Sequence, residues 1–340
     1  MIILLLSSCV QETINNDKKI NVSPTLNEQN LGLDLLPSWN DSERKNDIIN
    51  YLSLITDSSK KEFIPIEDRI ATFDNDGTLW SEKPIYFQLF FAIDKIKEKA
   101  FEHPEWTNEA PYSYILKDGA KGVSKMNEED LMKIVFASHT NNNTDEYEQE
   151  VKDWLKTAKH PVLNQPFTSL VYQPMLELIQ LLKKNNFKVF IVSGGGIEFM
   201  RPWVEEIYGI PKDQVIGSSA KTAYNYNAGK PYIQRLPGLD FFNDKEGKPE
   251  AINKFIGRKP VFAAGNSDGD LQMLRWTNSN SYLTFKLYVH HTDEKREWAY
   301  DRESSIGRLD KGLDEADSLS WSVTNMKTDW KVIFPYELKK

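Results

Sequence analysis

Apolar residues along this chain gather in short runs closed by polar or glycine-bearing loops, and between the runs they recur at helical spacing. The runs Ile70–Phe73, Phe187–Val192, Gln214–Ile216 and Pro260–Ala264 predict buried strands, and Tyr282–Val289 a further one. Helical patterns cover Pro174–Lys184, Ile197–Tyr208 and Pro249–Ile256, and Asp41 or Ser42 is placed to cap a helix running to about Thr56. Such alternation predicts an α/β protein with a mostly parallel sheet flanked by helices. The stretch from Leu79 to Gln173 interrupts it. There Tyr86, Phe87, Leu89, Phe90 and Ile93, then Leu131, Ile134 and Val135, keep helical spacing with little strand character. The piece is too long for an ordinary connection. It predicts a helical subdomain over 79–169, inserted into a core formed by 36–78 and 170–340.

The ends of the chain differ from this body. Residues 10–35 are rich in Asn, Lys and Thr without apolar periodicity, the pattern of a flexible tether. Ahead of them, Met1–Cys9 is a short apolar segment ending in small residues and the only cysteine. It is too short to span a bilayer and reads as a targeting segment. A single cysteine also excludes an intramolecular disulfide. With 42 basic against 50 acidic residues the net charge is −8, which argues against nucleic acid as a partner. It leaves a small anionic substrate open, since that responds to the local field.

Chemistry concentrates where strands end. Ile70–Phe73 runs into Asp74-Asn75-Asp76-Gly77-Thr78, so two acids two positions apart are delivered to a strand's end, and the glycine lets the backbone turn away. Paired carboxylates repel unless a cation shares them, and oxygen ligands suit a hard ion such as Mg2+. Phe187–Val192 runs into Ser193-Gly194-Gly195-Gly196 and a helix, where backbone N–H groups and the hydroxyl form an anion cradle. Lys248 stands in the first turn of a helix, disfavoured by the dipole unless an anion is its partner. Pro260–Ala264 ends in Gly265-Asn266-Ser267-Asp268-Gly269-Asp270, a second oxygen-rich loop before a helix.

In this order, the four stretches resemble the four motifs of the haloacid dehalogenase superfamily, over roughly residues 70 to 275. The resemblance implies a Rossmann-like core, and the insert is similar to the helical cap of the phosphoserine-phosphatase-like branch. It implies Asp74 as nucleophile, Asp76 as general acid and base, and Ser193 and Lys248 as stabilisers of phosphoryl charge. Mg2+ is then expected on Asp74, Asp270, Asn266 and the Asp76 carbonyl. Asn266 departs from the pattern, standing where an acid is usual, and Asp268 is an extra acid that either compensates or faces solvent. Substrate contacts are expected from Asn75, Gly194 and Gly195 and, close behind the nucleophile loop, from Glu82 and Tyr86, with Lys83 and Gln88 beside them. Arg201 and Arg235 are weaker candidates for a second anionic group.

The implied activity is hydrolysis of a small phosphomonoester through an aspartyl-phosphate. Dehalogenation is not expected, because true dehalogenases of the superfamily lack an acid at the position of Asp76. The alternatives are a non-catalytic lipoprotein binding a small anionic ligand, or a phosphotransferase or pyrophosphatase of the same superfamily. Leu6-Ser7-Ser8-Cys9 resembles the lipobox of bacterial lipoproteins, which implies a membrane contact through lipidated Cys9 only and a place in the cell envelope. Other chemistries lack their residues. No Gly-x-Ser-x-Gly elbow or His-Glu-x-x-His pattern occurs, and Leu79 stands where a calcium loop opening at Asp74 would need glycine. His290-His291 reads as a structural or rim pair.

Overall fold

A computed structural model of the chain describes residues 34–137 and 142–339. The segment ending at Cys9 and the tether up to residue 33 lie outside the described residues. The core holds an eight-stranded sheet of β1 (Ile70–Phe73), β2 (Lys188–Gly196), β3 (Val215–Asn227), β4 (Lys230–Phe241), β5 (Phe262–Gly265), β6 (Phe285–Thr292), β7 (Ala299–Tyr300) and β8 (Ser322–Asn325). Its order is β4-β3-β2-β1-β5-β6-β7, with β8 also beside β6. All neighbours are parallel except β3–β4 and β6–β7.

The central strand is buried on both faces, as its unbroken apolar run requires. Ala71 and Phe73 face one core, where Phe73 stacks on Phe262 at 5.6 Å and Phe262 on Phe285 at 5.3 Å. Ile70 faces the other, among Phe190, Val192, Ile216 and Leu274. Helix α1 (Glu43–Thr56) opens at Ser42, whose hydroxyl accepts from the Lys45 N–H, and it covers the first face through Tyr51, whose hydroxyl donates to the Val261 carbonyl at 2.8 Å.

Between β1 and β2 lie the inserted helices α2 (Phe87–Lys99), α3 (Tyr112–Asp118), α4 (Glu128–Ala137) and α5 (Thr144–Thr157), followed by α6 (Gln173–Lys184), which returns to the sheet. A capping box starts α5: the Asn143 side chain accepts from the Asp145 and Glu146 N–H groups, and the Glu146 carboxylate accepts from the Asn143 N–H. An aromatic column ties the insert to the core. Trp80 stacks on Trp203 at 4.3 Å, Phe87 meets Trp80 edge-on at 4.7 Å, and Phe167 joins Phe87 to Trp154, each at 4.7 Å. Trp203 belongs to α7 (Ile197–Tyr208), the helix that follows β2.

One strand is much longer than its apolar run. Of Gln214–Ile216, Val215 and Ile216 are only the buried start of β3, which continues to Asn227 and turns through Ala228 (φ +50°) and Gly229 (φ +80°) into β4, while Gln214 ends the preceding turn. Two successive positive φ values are what a two-residue hairpin turn of this twist needs. The outer hairpin is largely exposed, so no buried face imposed an apolar alternation on its sequence.

Candidate active site

Register brings the site together. Phe73 pairs with Ile191 of β2 on one side and Ala264 of β5 on the other, so β1 ends between two parallel neighbours. Asp74 leaves β1 with its N–H on the Ala264 carbonyl at 3.0 Å, while Ser193 stands in the last part of β2 and Asn266 just after β5. Gly77 turns the chain at φ +76°, and the Thr78, Leu79 and Trp80 N–H groups return to the Asn75 carbonyl. Both Gly77 and Gly265 must lack a side chain: a Cβ would lie 2.1 Å from Asn266 Nδ2 at the first and 2.4 Å from the Asp270 side chain at the second.

Lys248 is the electrostatic centre. It reaches in from α8 (Gly247–Ala251), which continues as a π-helical turn to Ile256, and its Nζ donates to Asp74 Oδ1 and Asp270 Oδ1, each at 2.6 Å. All three side chains are nearly excluded from solvent. Burial works against the ammonium, but Asp270 and Asp74 outweigh it and push Lys248 above its ordinary range. The Asp74 carboxyl rises well above the usual carboxylate range because of burial first and Asp270 second, with Lys248 opposing. Asp270 Oδ2 accepts from the Asn266 and Ser267 N–H groups at 2.9 and 3.0 Å, which fixes the loop carrying Asn266 ahead of α9 (Leu271–Asn278).

Asp76 has a different setting. The Trp80 indole donates to its Oδ1 at 2.7 Å, while its Oδ2 faces the cradle: a Cβ on Gly195 would lie 3.3 Å from it and 3.4 Å from Ser193 Oγ. Burial raises the Asp76 carboxyl to about 6, with the Trp80 hydrogen bond and Lys248 opposing. A carboxyl that holds its proton close to neutrality is suited to acid and base work. Ser193 Oγ accepts from the Gly195 N–H at 3.0 Å, the Gly196 N–H donates to Gln88 at 2.8 Å, and Ser218 Oγ donates to the Gly194 carbonyl at 2.8 Å, so the cradle is held in shape.

Oxygen donors converge beside Asp74. Thr78 Oγ1 lies 3.4 Å from Asp74 Oδ2 and 3.1 Å from Asn266 Oδ1. Among the described residues no group of three or more His, Cys, Asp and Glu side chains is arranged around a cation position. The donors there are instead carboxylate plus amide oxygens. Asp74, Asp76 and Asp270 sit around one ammonium, so the cluster is short of positive charge, which is the setting a hard divalent cation completes.

Several expected contacts are placed differently. Glu82 is spent inside the protein and does not line an open wall: Oε1 accepts from Asn266 Nδ2 at 2.7 Å and from the Tyr300 hydroxyl at 2.8 Å, and the residue is 1% exposed. The Asn75 side chain is likewise buried, its oxygen accepting from the Tyr208 hydroxyl at 3.0 Å, while its Nδ2 has no partner among the described residues. Asp268 is half-buried and turned toward the main chain of a later loop. Its carboxylate accepts from the Asp310, Lys311 and Gly312 N–H groups and caps α10 (Lys311–Ser318) from a neighbouring loop. Arg235 lies over the Tyr147 ring at 3.9 Å and pairs with Glu198, and Arg201 donates to the Lys212 carbonyl. Tyr86 remains beside the acids, its phenol pushed well up by burial and then by Glu82 and Asp76.

Sequence reading missed Trp80, Tyr300 and the role of His291. His291 is buried, with Nε2 2.8 Å from the Gly77 carbonyl and Nδ1 3.2 Å from Glu297, so it braces the nucleophile loop from below. No local pattern marks these residues, because their partners are more than two hundred positions away in the chain, or, for Trp80, lie across a turn.

Among solved structures, the chain is similar to a conserved functionally unknown protein from Anaerococcus prevotii, at 16% identity and a TM-score of 0.51, covering 86% of this chain and 94% of that one. It is also similar to a phosphoserine phosphohydrolase-like protein from Francisella tularensis, at 21% identity and a TM-score of 0.37, covering 74% and 99%. A probable phosphoserine phosphatase from Vibrio cholerae matches at 14% identity and a TM-score of 0.38, covering 77% and 70%. The first of these supports the fold and nothing finer. No curated protein matches in sequence. The model of the haloacid dehalogenase-like hydrolases matches residues 71–275, more than half of the chain and the whole span from Asp74 to Asp270. The chain therefore belongs to the haloacid dehalogenase-like hydrolase family.

Proposed function

We propose that this hydrolase is a Mg2+-dependent phosphatase that cleaves a small phosphomonoester through an aspartyl-phosphate on Asp74. The observation that carries the reading is the Lys248 ammonium held between Asp74 and Asp270, in a site where Asp76 Oδ2 faces the Ser193–Gly195 cradle. A nucleophile, an acid and an anion site thus meet at one strand end.

In the first step Asp74 attacks phosphorus in line, and the bond from phosphorus to the ester oxygen breaks with its electron pair going to that oxygen. Asp76, raised to about 6, gives that oxygen its proton. Ser193, the backbone N–H groups near Asn75 and Lys248 hold the phosphoryl oxygens as charge builds on them. In the second step Asp76 takes a proton from water, which attacks phosphorus and releases phosphate and the Asp74 carboxylate. Mg2+, held by Asp74, Asn266, Asp270 and the Asp76 carbonyl, would supply the positive charge that keeps the buried Asp74 ionised. The inserted helices, with Tyr86 at their base, would face the leaving group and select it.

The test is release of phosphate from p-nitrophenyl phosphate with Mg2+ and with EDTA. Metal-dependent turnover that disappears in Asp74→Asn supports the reading. No turnover over a broad panel of phosphomonoesters would favour a non-catalytic binding protein. We further propose lipidation at Cys9, tethering the hydrolase in the cell envelope; labelled palmitate retained by Cys9→Ala would count against it.

A further inference from the structure

Glu82 is a buried acid that the proposed chemistry does not use, yet the fold is built closely around it. A Cβ on Gly77 would lie 2.5 Å from Glu82 Oε1, and one on Gly307, at φ +66°, 1.9 Å from the same oxygen. Two glycines some 230 positions apart therefore both make way for one carboxylate oxygen. The C-terminal segment grips it further. Tyr300 donates to Oε1, and the adjacent Lys83 donates to Ser304 Oγ at 2.6 Å and the Ile306 carbonyl at 2.9 Å while lying over the Tyr300 ring. Tyr300, Ser304, Ile306 and Gly307 all lie beyond residue 275, where the family match ends.

The partner of this carboxylate is Asn266. Its Nδ2 donates to Glu82, which leaves Oδ1 on the side of Thr78 and Asp74. With the amide turned over, two oxygens would face each other at 2.7 Å and an N–H2 would point into the cation position. We propose that Glu82, held by Tyr300 and the segment around Gly307, is a positioning residue that aims the Asn266 oxygen at the cation. Glu82 and Asn266 act as a unit, acid outside and amide inside. The proposal rests on the Mg2+ reading of the site, and partners that orient a ligand in this way carry about 10- to 100-fold in metal affinity.

The experiment measures Mg2+ binding to the full chain by calorimetry, beside the thermal shift caused by Mg2+, for Glu82→Gln, Asn266→Asp and the double variant. Glu82→Gln, which can turn an N–H2 as well as an oxygen toward Asn266 and so no longer fixes the amide, is expected to weaken Mg2+ binding about tenfold. Asn266→Asp, which sets two carboxylates against each other, is expected to weaken it as well, and the double variant to return close to wild type. If Glu82→Gln fails to fold, the comparison of Asn266→Asp with the double variant decides. Wild-type affinity in Glu82→Gln, or losses that simply add in the double variant, would overturn the proposal while leaving the phosphatase reading intact. A wild-type protein that hydrolyses phosphomonoesters without binding Mg2+ removes the cation itself and overturns this proposal with it.

Discussion

Replacing Lys248 with methionine tests how the site is held together. The side chain keeps its length but loses the ammonium that lies 2.6 Å from both Asp74 and Asp270. Removing one partner of a buried ion pair costs about 3–5 kcal/mol, because a charge is left without compensation. Here one cation serves two carboxylates, all nearly free of solvent, so the upper end applies: about 5 kcal/mol. Against a total stability of about 5–15 kcal/mol, that is a large part of the fold. The loss must also depend on pH. Asp74 is already raised by burial and Asp270, and deleting Lys248 removes what opposes them. A carboxyl raised in the folded state leaves stability unharmed below its unfolded value, about 3.9, and costs progressively more as pH rises toward the folded one. The deficit is therefore smaller at about pH 5 than at about pH 8. Urea unfolding followed by tryptophan fluorescence, with nine tryptophans as reporters and EDTA present, measures both. A deficit below about 1 kcal/mol at alkaline pH, or an equal one at both pH values, would refute the reasoning.

Other substitutions separate the remaining roles. Trp80→Phe removes the donor to Asp76 while keeping an aromatic ring against Trp203, so the Asp76 carboxyl rises and the alkaline limb of the kcat profile moves up by about one pH unit. An unmoved limb would detach Asp76 from the acid role. Gly307→Ala combines a left-handed backbone with a clash against Glu82 and is expected to lower stability by about 1–3 kcal/mol in thermal unfolding. Asp268→Ala loses three N–H acceptances at the start of α10, costing about 1–2 kcal/mol of stability, while Mg2+-dependent turnover stays near that of the wild type. Loss of Mg2+ dependence in Asp268→Ala would instead make it a cation ligand.

What could be read from sequence followed from local rules. Strand β1 is a continuous apolar run because both its faces are buried, and the acids at its end had only one direction to point. The Ser193 cradle and Lys248 were legible because each sits where a helix begins and free N–H groups or a dipole give the residue type a meaning. The β3–β4 hairpin was not, since an exposed ribbon needs no apolar alternation. Glu82 lies close behind the nucleophile loop and was expected on the pocket wall. Its true neighbours, Asn266, Tyr300 and Gly307, come together only in the folded chain. Asp268 likewise reads as part of an acidic loop, and its backbone partners follow by about forty residues.

The central claim is a covalent phosphoryl group on Asp74, and acid quenching during turnover addresses it most directly. Protein mixed with p-nitrophenyl phosphate and Mg2+, quenched in acid, digested and analysed by mass spectrometry is predicted to carry phosphate on the peptide containing Asp74, and Asp74→Asn to carry none. Steady turnover with that peptide unmodified, or with the phosphoryl group on another residue, would contradict the account.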